Sequence, residues 1–196
     1  EPNVVRLSKL TSHFQVKPEP CPGSREYQRI HDAMHAGSHL RCLSQKGELL
    51  ALAAAKAIYE GRPQSADQVL RRRVHVLRSL KHPDEVRALR RIYGEGFFLI
   101  GLNVDVEDRK HHLKDGLGCR EDEIDRLLKR DEAEEDPKYF GSDGRDYGQR
   151  TRDTFHLADA FIPLKDEAEL KRFLKLVFGH PFETPRQDEH AMFMAF

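Results

Sequence analysis

The chain has no tryptophan and only three cysteines among its 196 residues, Cys21, Cys42 and Cys119. No two of these form a CxxC pair, which excludes a zinc ribbon and a dithiol redox motif. An odd number of widely spaced thiols fits reduced cysteines, so the expected location is the cytoplasm. No run approaches the ~20 apolar residues of a membrane-spanning helix, and no membrane partner is expected. An excess of one charge is also missing. The 33 Lys and Arg balance 33 Asp and Glu, so no global field recruits nucleic acid or anionic lipid. Several catalytic signatures are lacking too. There is no GxxxxGK followed by Ser or Thr, the backbone cradle of a P-loop enzyme. Gly94-Glu95-Gly96 stands before an apolar run rather than after one, so it is no dinucleotide fingerprint. No His-x-Glu is followed by Pro-Cys-x-x-Cys, and His190-Ala191-Met192 carries methionine where that zinc signature needs glutamate. No Ser-His-Asp or Cys-His arrangement has local support.

What is present is a charge-rich chain, 38% hydrophobic and 34% charged, of a length that suits one domain with a proper core. The β-branched run at 4–8 predicts a strand, and 14–24, with Pro18, Pro20 and Pro22, predicts a loop. Ser24 is placed to cap a helix over 25–36 that Gly37 ends. A helix is expected over 45–60, stopped by Gly61-Arg62-Pro63, and a strand over 73–77. Pro83 opens a helix that reaches Tyr93. Residues 96–104 are apolar on both faces, as in a buried parallel strand. Helical patterns follow at 106–115 and 120–134, with a short acidic run at 130–136. The Gly-, Asp- and Tyr-rich stretch 136–149 predicts a mobile loop, 158–163 a last strand, and 167–178 and 186–196 two helices. Strands alternate with helices and no tight hairpin is encoded. The expected fold class is therefore α/β, a three-layer parallel sheet with helices on both faces.

Such sheets bind ligands at the carboxyl ends of their strands. After the second predicted strand come Arg78, Ser79, Lys81 and His82, two cations and a hydroxyl at the amino end of a helix, which suits a phosphate, although spacing alone fits ordinary surface cations at Arg78 and Lys81 equally well. After the third come Asn103, Asp105 and Arg109. A second basic cluster, Arg120, Arg126, Lys129, Arg130, Arg150 and Arg152, flanks the glycine-rich loop and fits a lid over polyphosphate. A solvated helical hairpin of alternating charge is the alternative, and composition alone favours it over the lid. His31, His35 and His39 are four residues apart and share one helix face if the helix passes Gly37. No acid or thiol completes a metal set there, and a polar helix lining a cleft is the expectation.

Five ordered blocks carry a family likeness. They are Arg78-Ser79-Leu80-Lys81-His82-Pro83-Asp84-Glu85-Val86 continuing through Tyr93-Gly94 into Phe97-Phe98-Leu99-Ile100-Gly101; residues 29–41 with Met34, Gly37 and Leu40-Arg41; Arg130-Asp131-Glu132 with Gly148-Gln149-Arg150-Thr151-Arg152-Asp153-Thr154-Phe155; Leu157-Ala158-Asp159-Ala160-Phe161-Ile162; and residues 173–196. Together they resemble the amino-terminal, P-loop, nucleoside monophosphate kinase-like domain of the anti-phage dCTP deaminases, which are similar to deoxycytidylate deaminases. The resemblance implies a nucleotide-binding, regulatory domain over 1–178, with a lid at about 115–155. A hinge over 179–196 would lead into a carboxy-terminal zinc deaminase domain in cis. By the same likeness the first strand and its phosphate loop would precede Glu1. The parent protein would use zinc and a Mg-bound nucleoside triphosphate to convert dCTP or dCMP to dUTP or dUMP in antiviral defence. No metal or catalytic residue falls on this chain, which is expected to be inactive alone. Arg78, Lys81, Arg126, Arg130, Arg150 and Arg152 would hold phosphates, with Asp131 or Glu132 orienting the lid cations. Arg29 and Arg41 would line the base side. Expected partners are a nucleotide, the deaminase domain, a second copy of the chain, and a regulatory RNA or phage factor. The alternatives are a nucleoside monophosphate kinase-like phosphotransferase and a non-catalytic interaction domain.

Overall fold

The computed structural model describes residues 3–62, 73–132 and 136–194. Pro63, expected to help stop a helix, lies outside them, as do residues 133–135 of the acidic run, Ala195 and Phe196. The chain is mixed α/β. Strand β1 (Asn3–Arg6) leads through α1 (Leu7–Leu10), a tight turn, α2 (Arg25–Ser44) and α3 (Leu49–Glu60) to β2 (His75–Arg78). Helix α4 (Pro83–Tyr93) then leads to β3 (Ile100–Asn103). Helices α5 (Val106–His111), α6 (Glu121–Glu132) and α7 (Thr151–Phe155) precede β4 (Ala160–Pro163), and α8 (Glu167–Val177) and α9 (Gln187–Met194) follow.

β1 pairs with β2 in parallel, Val5 opposite Leu77, and β3 pairs with β4 in parallel, Gly101 opposite Phe161. Both connections are helical crossovers, as parallel neighbours require. One continuous sheet was expected; among the described residues the ladders instead form two separate two-stranded sheets. The reason lies in how β2 and β3 meet. Leu77 of β2 and Phe97 ahead of β3 both pack on the buried Ala51, Ala88 and Leu89, so the pairs join through α3 and α4 rather than through a backbone ladder. The strands are not buried on both faces either. Val5 and Leu77 join the core of Leu7, Leu40, Leu50 and Ala54, while Val4 and Val76 on the opposite face are exposed. The third predicted strand is also shorter than its apolar run, because Gly94–Gly96 form a tight turn and the ladder begins only at Ile100.

Two helix predictions need correction. α2 does not stop at Gly37 but runs on to Ser44, where Gln45 adopts a left-handed φ of 51° and its N–H returns to the Arg41 and Cys42 carbonyls. A glycine inside a helix costs only about 1 kcal/mol relative to alanine, too little to end a helix anchored at both sides of that point by Tyr27 and Leu40. The helix therefore does place His31, His35 and His39 in succession, with the rings of His35 and His39 stacked at 5.5 Å. α4 begins at Pro83 as expected. Its first turn is closed by a reciprocal cap in which the Asp84 N–H donates to His82 Nδ1 and Glu85 reaches back to the His82 N–H. Gly47 passes directly over this cap, where a Cβ would meet His82 Cε1 and Asp84 Oδ2 at 2.5 Å, so the site has room only for glycine.

The stretch 136–149, expected to be a mobile loop, is anchored at two tyrosines. Tyr139 and Tyr147 are both buried. The Tyr139 hydroxyl lies 2.9 Å from His35 Nδ1 and accepts from Arg130 at 3.0 Å, while the Tyr147 hydroxyl lies 3.0 Å from the Gln45 carbonyl. Composition predicts a loop here, and apart from a short turn at Pro137–Tyr139 and one bridge between Phe140 and Asp146 the stretch is one, with two aromatic anchors among its glycines.

Candidate functional site

The carboxyl ends of β1 and β2 open onto a cavity of about 390 Å³ between α2 and α6. Its walls are largely apolar: Leu7 and Leu50 on one side, Ile30 and Met34 of α2, and Leu127 and Leu128 of α6. Ser8 enters from α1, Thr11 from the tight turn after it, Ser79 and Lys81 from the loop that follows β2, and Arg109 and His112 from α5 and the wide turn after it. Ser79 holds a left-handed φ of 69°, an unfavourable setting for a residue with a Cβ and one concentrated at functional sites.

Asp131 is the electrostatic hub of this cavity. One carboxylate oxygen takes Lys81 Nζ at 2.6 Å, the other takes the Arg109 guanidinium at 3.0 Å, and the Thr151 hydroxyl donates at 3.3 Å. The loop after β2, helix α5, helix α6 and the start of α7 thus converge on one side chain. Lys81 and Arg109 follow two different strand pairs, so Asp131 ties the two small sheets together at their carboxyl ends.

Arg41 reaches the cavity wall and is also held in a buried ion pair. Only 1% of its side chain is exposed, against 0% for its partner Glu85, 3.0 Å away. Its remaining donors go to the carbonyls of Tyr147 at 3.1 Å and Gly148 at 3.4 Å and to the Ser38 hydroxyl at 3.5 Å. Glu85 in turn accepts from the backbone N–H groups of Lys81 and His82. Burial raises the Glu85 pKa, and Arg41 with the two N–H groups opposes the rise. The positive amino end of α4 is therefore filled by the chain's own carboxylate. The phosphate expected at that helix end has no free N–H groups there. His82 is neutral: burial and then the Arg41 charge push it down to about 4, and its Nε2–H donates to the Asp146 carbonyl.

Of the cations expected at the site, Arg29, Arg41 and Lys81 line the cavity. Arg78 is exposed at the end of β2, opposite Arg6 of β1 in the parallel register. Arg126 faces outward, bound to Asp122 and lying over the Tyr27 ring at 5.4 Å. Arg130 is engaged by Tyr139. Arg150 donates its backbone N–H to the Lys81 carbonyl and pairs with Asp153 at 2.5 Å, and Arg152 is exposed on α7. The Glu132 side chain lies outside the described residues, and Asp131, expected to orient the lid cations, instead binds Lys81, Arg109 and Thr151. Ser8, Thr11, His112 and Gln149 belong to the cavity although no motif marked them. The first two were within reach of the strand-end rule, since they directly follow β1. Nothing in sequence spacing points to His112, and Gln149 stood out only inside a likeness block.

A second structural pin lies opposite. Glu123 is fully buried, yet N–H groups of Arg120 and Ser24, the Ser24 hydroxyl and the Arg120 guanidinium outweigh the effect of burial and hold its pKa down to about 2. At the far end, Arg172 binds Glu189 at 2.6 Å and Glu169 at 3.2 Å, fastening α9 to α8. Among the described residues no group of three or more His, Cys, Asp and Glu side chains is placed to hold a metal ion, and no helix is long and apolar enough to cross a membrane. No family model, curated protein sequence or solved structure matches the chain.

Proposed function

We propose that the chain is a nucleotide-binding, regulatory domain of a cytidine nucleotide deaminase of the anti-phage type, with its ligand in the cavity beside Asp131. One observation carries the reading. An apolar chamber of about 390 Å³, within the range of small-ligand sites, lies at the carboxyl ends of parallel strands and is ringed by Arg29, Lys81 and Arg109. The apolar walls suit a planar base and the cations suit phosphate. The finer fold belongs to the same proposal. A parallel strand seated between β2 and β3 would join the two pairs into one three-layer sheet, and the shared contacts of Leu77 and Phe97 keep those strands close enough for this. Zinc chemistry, which would activate water for attack on the cytosine ring, belongs in this reading to a neighbouring deaminase domain.

Isothermal titration with dCTP, dCMP and UTP tests the reading. Saturable binding that Ala33→Trp abolishes, by filling the chamber from α2, is the expected result. Absence of saturable binding for all three nucleotides refutes it.

A further inference from the structure

The β1–β2 pair is packed on one face only. Val5 and Leu77 turn inward to the core of Leu7, Leu40, Leu50 and Ala54. Because side chains alternate along a strand, Val4 and Arg6 of β1 share the outer face with Val76 and Arg78 of β2. Val74 extends that row, since its carbonyl accepts from the Asn3 N–H just ahead of β2. The three valines Val4, Val74 and Val76 are 48%, 50% and 41% exposed. All-parallel sheets occur almost only with both faces covered, usually by helices. An open outer face on a parallel pair is thus a place where a helix belongs.

The charge around this face has one sign. Arg6 and Arg78 are register partners at the carboxyl ends of strands about 4.8 Å apart, which sets two like charges side by side. Both residues are exposed, and neither makes an ion pair or a side-chain hydrogen bond among the described residues. Residues 3–17 and 73–83, which carry the two strands and the turns after them, contain six Lys and Arg and no Asp or Glu. Of those six cations only Lys81 has an acidic partner among the described residues. Asp32 of α2 shares a polar chamber of about 480 Å³ with Arg6, Lys9 and Lys17 but pairs with none of them. In a chain whose charges balance overall, this is a local cationic border with no internal counterweight. Carboxylates from outside relieve such repulsion, and a guanidinium takes a carboxylate in a two-bond fork.

We propose that the outer face of β1–β2 docks an acidic amphipathic helix of another polypeptide. The apolar stripe of that helix lies on Val4, Val74 and Val76, and its carboxylates meet Arg6 and Arg78. The row from Val74 to Arg78 spans about 13 Å, the length of about nine residues of helix. A helix suits the row better than a nucleic acid does, because the row offers no aromatic ring on which a base would stack. This surface goes beyond the nucleotide reading above and does not depend on it.

Fluorescence anisotropy of the whole chain with a labelled helical peptide of about 18 residues tests the proposal. The peptide carries leucine along one face, glutamate along the borders of that face, and alanine elsewhere. The wild-type chain is expected to bind it saturably, and to bind the same peptide with lysine in place of glutamate at least about tenfold more weakly. Affinity for the acidic peptide should fall as salt rises. Arg6→Glu with Arg78→Glu, both at exposed positions, should lower that affinity by at least about tenfold. Val4→Thr with Val76→Thr keeps the branched shape that strands favour and should lower it by at least about fivefold. No saturable binding of the acidic peptide, or equal binding of the two peptides, overturns the proposal without any variant having to fold. Binding that ignores both double variants puts the helix elsewhere on the chain and overturns it as well. Tighter binding of a single-stranded thymidylate oligomer than of the acidic peptide, lost with the same arginines, would make the partner a nucleic acid and overturn the proposal too.

Discussion

The Arg41 guanidinium lies 3.0 Å from the Glu85 carboxylate, with both side chains sealed from solvent. Through this pair, α2 holds the amino end of α4 with one side of its guanidinium and the carbonyls of Tyr147 and Gly148 with the rest. Removing one partner leaves a buried charge with no counterpart. Arg41→Met is expected to destabilise the chain by about 3–5 kcal/mol, read as a fall in the urea midpoint. Arg41→Met combined with Glu85→Leu should cost less than Arg41→Met alone, because no orphan charge remains. A double variant as unstable as the sum of its single changes would show that the pair contributes in some other way.

Acid should act first through His82. Its folded-state value of about 4 lies below its ordinary 6.5, set by burial and the neighbouring charges of Arg41 and Arg150 against the opposing influence of Asp84 and the Asp146 carbonyl. The unfolded chain thus takes up a proton that the folded one refuses. Stability is full above about pH 6.5 and is lost as pH falls toward 4, by roughly 3 kcal/mol in all. His82→Asn keeps an acceptor at the cap and should flatten the dependence over that window. Urea melts at pH 7, 6, 5 and 4 make the comparison. Glu123 and Glu189, held down to about 2 by their hydrogen bonds, add a further loss only at still lower pH.

Asp131→Asn keeps the shape of the hub and removes its charge. The loop after β2, α5 and α7 then lose their shared ionic anchor on α6. A cost of about 1–3 kcal/mol is expected, with weaker dependence on salt than in the wild type, since half-buried ion pairs are only partly screened. Equilibrium unfolding at 0.05 and 0.5 M salt measures both effects.

Arg126→Ala serves as the contrast. The residue stands on the outer face of α6, held by Asp122 and the Tyr27 ring. The change should leave nucleotide affinity within twofold and stability within about 0.5–1 kcal/mol. A large loss of affinity would return α6 to the role of a phosphate-gripping lid.

Much of the local structure was legible because local rules decided it. Ser24 caps α2, Pro83 opens α4, and the strand positions follow β-branched runs. The misreadings share a physical cause, which is that long-range packing overrode a local signal. Gly37 signals a stop, but α2 is held on both sides of it. The glycines of 136–149 signal mobility, but Tyr139 and Tyr147 bury themselves. The cations were the least legible feature. Arg126, Arg130 and Arg150 resemble Lys81 in sequence, and only the folded chain shows that Asp122, Tyr139 and Asp153 engage them away from the cavity. Gln149 joins the cavity wall only in the folded chain.

The seating of Tyr139 and Tyr147 bears on kinetics. That segment is fastened to α2 and to Gln45, and its last residue, Gln149, lines the chamber. For the nucleotide proposed above, anchoring of this kind predicts single-exponential stopped-flow traces, with an observed rate that climbs linearly with concentration and reaches no plateau.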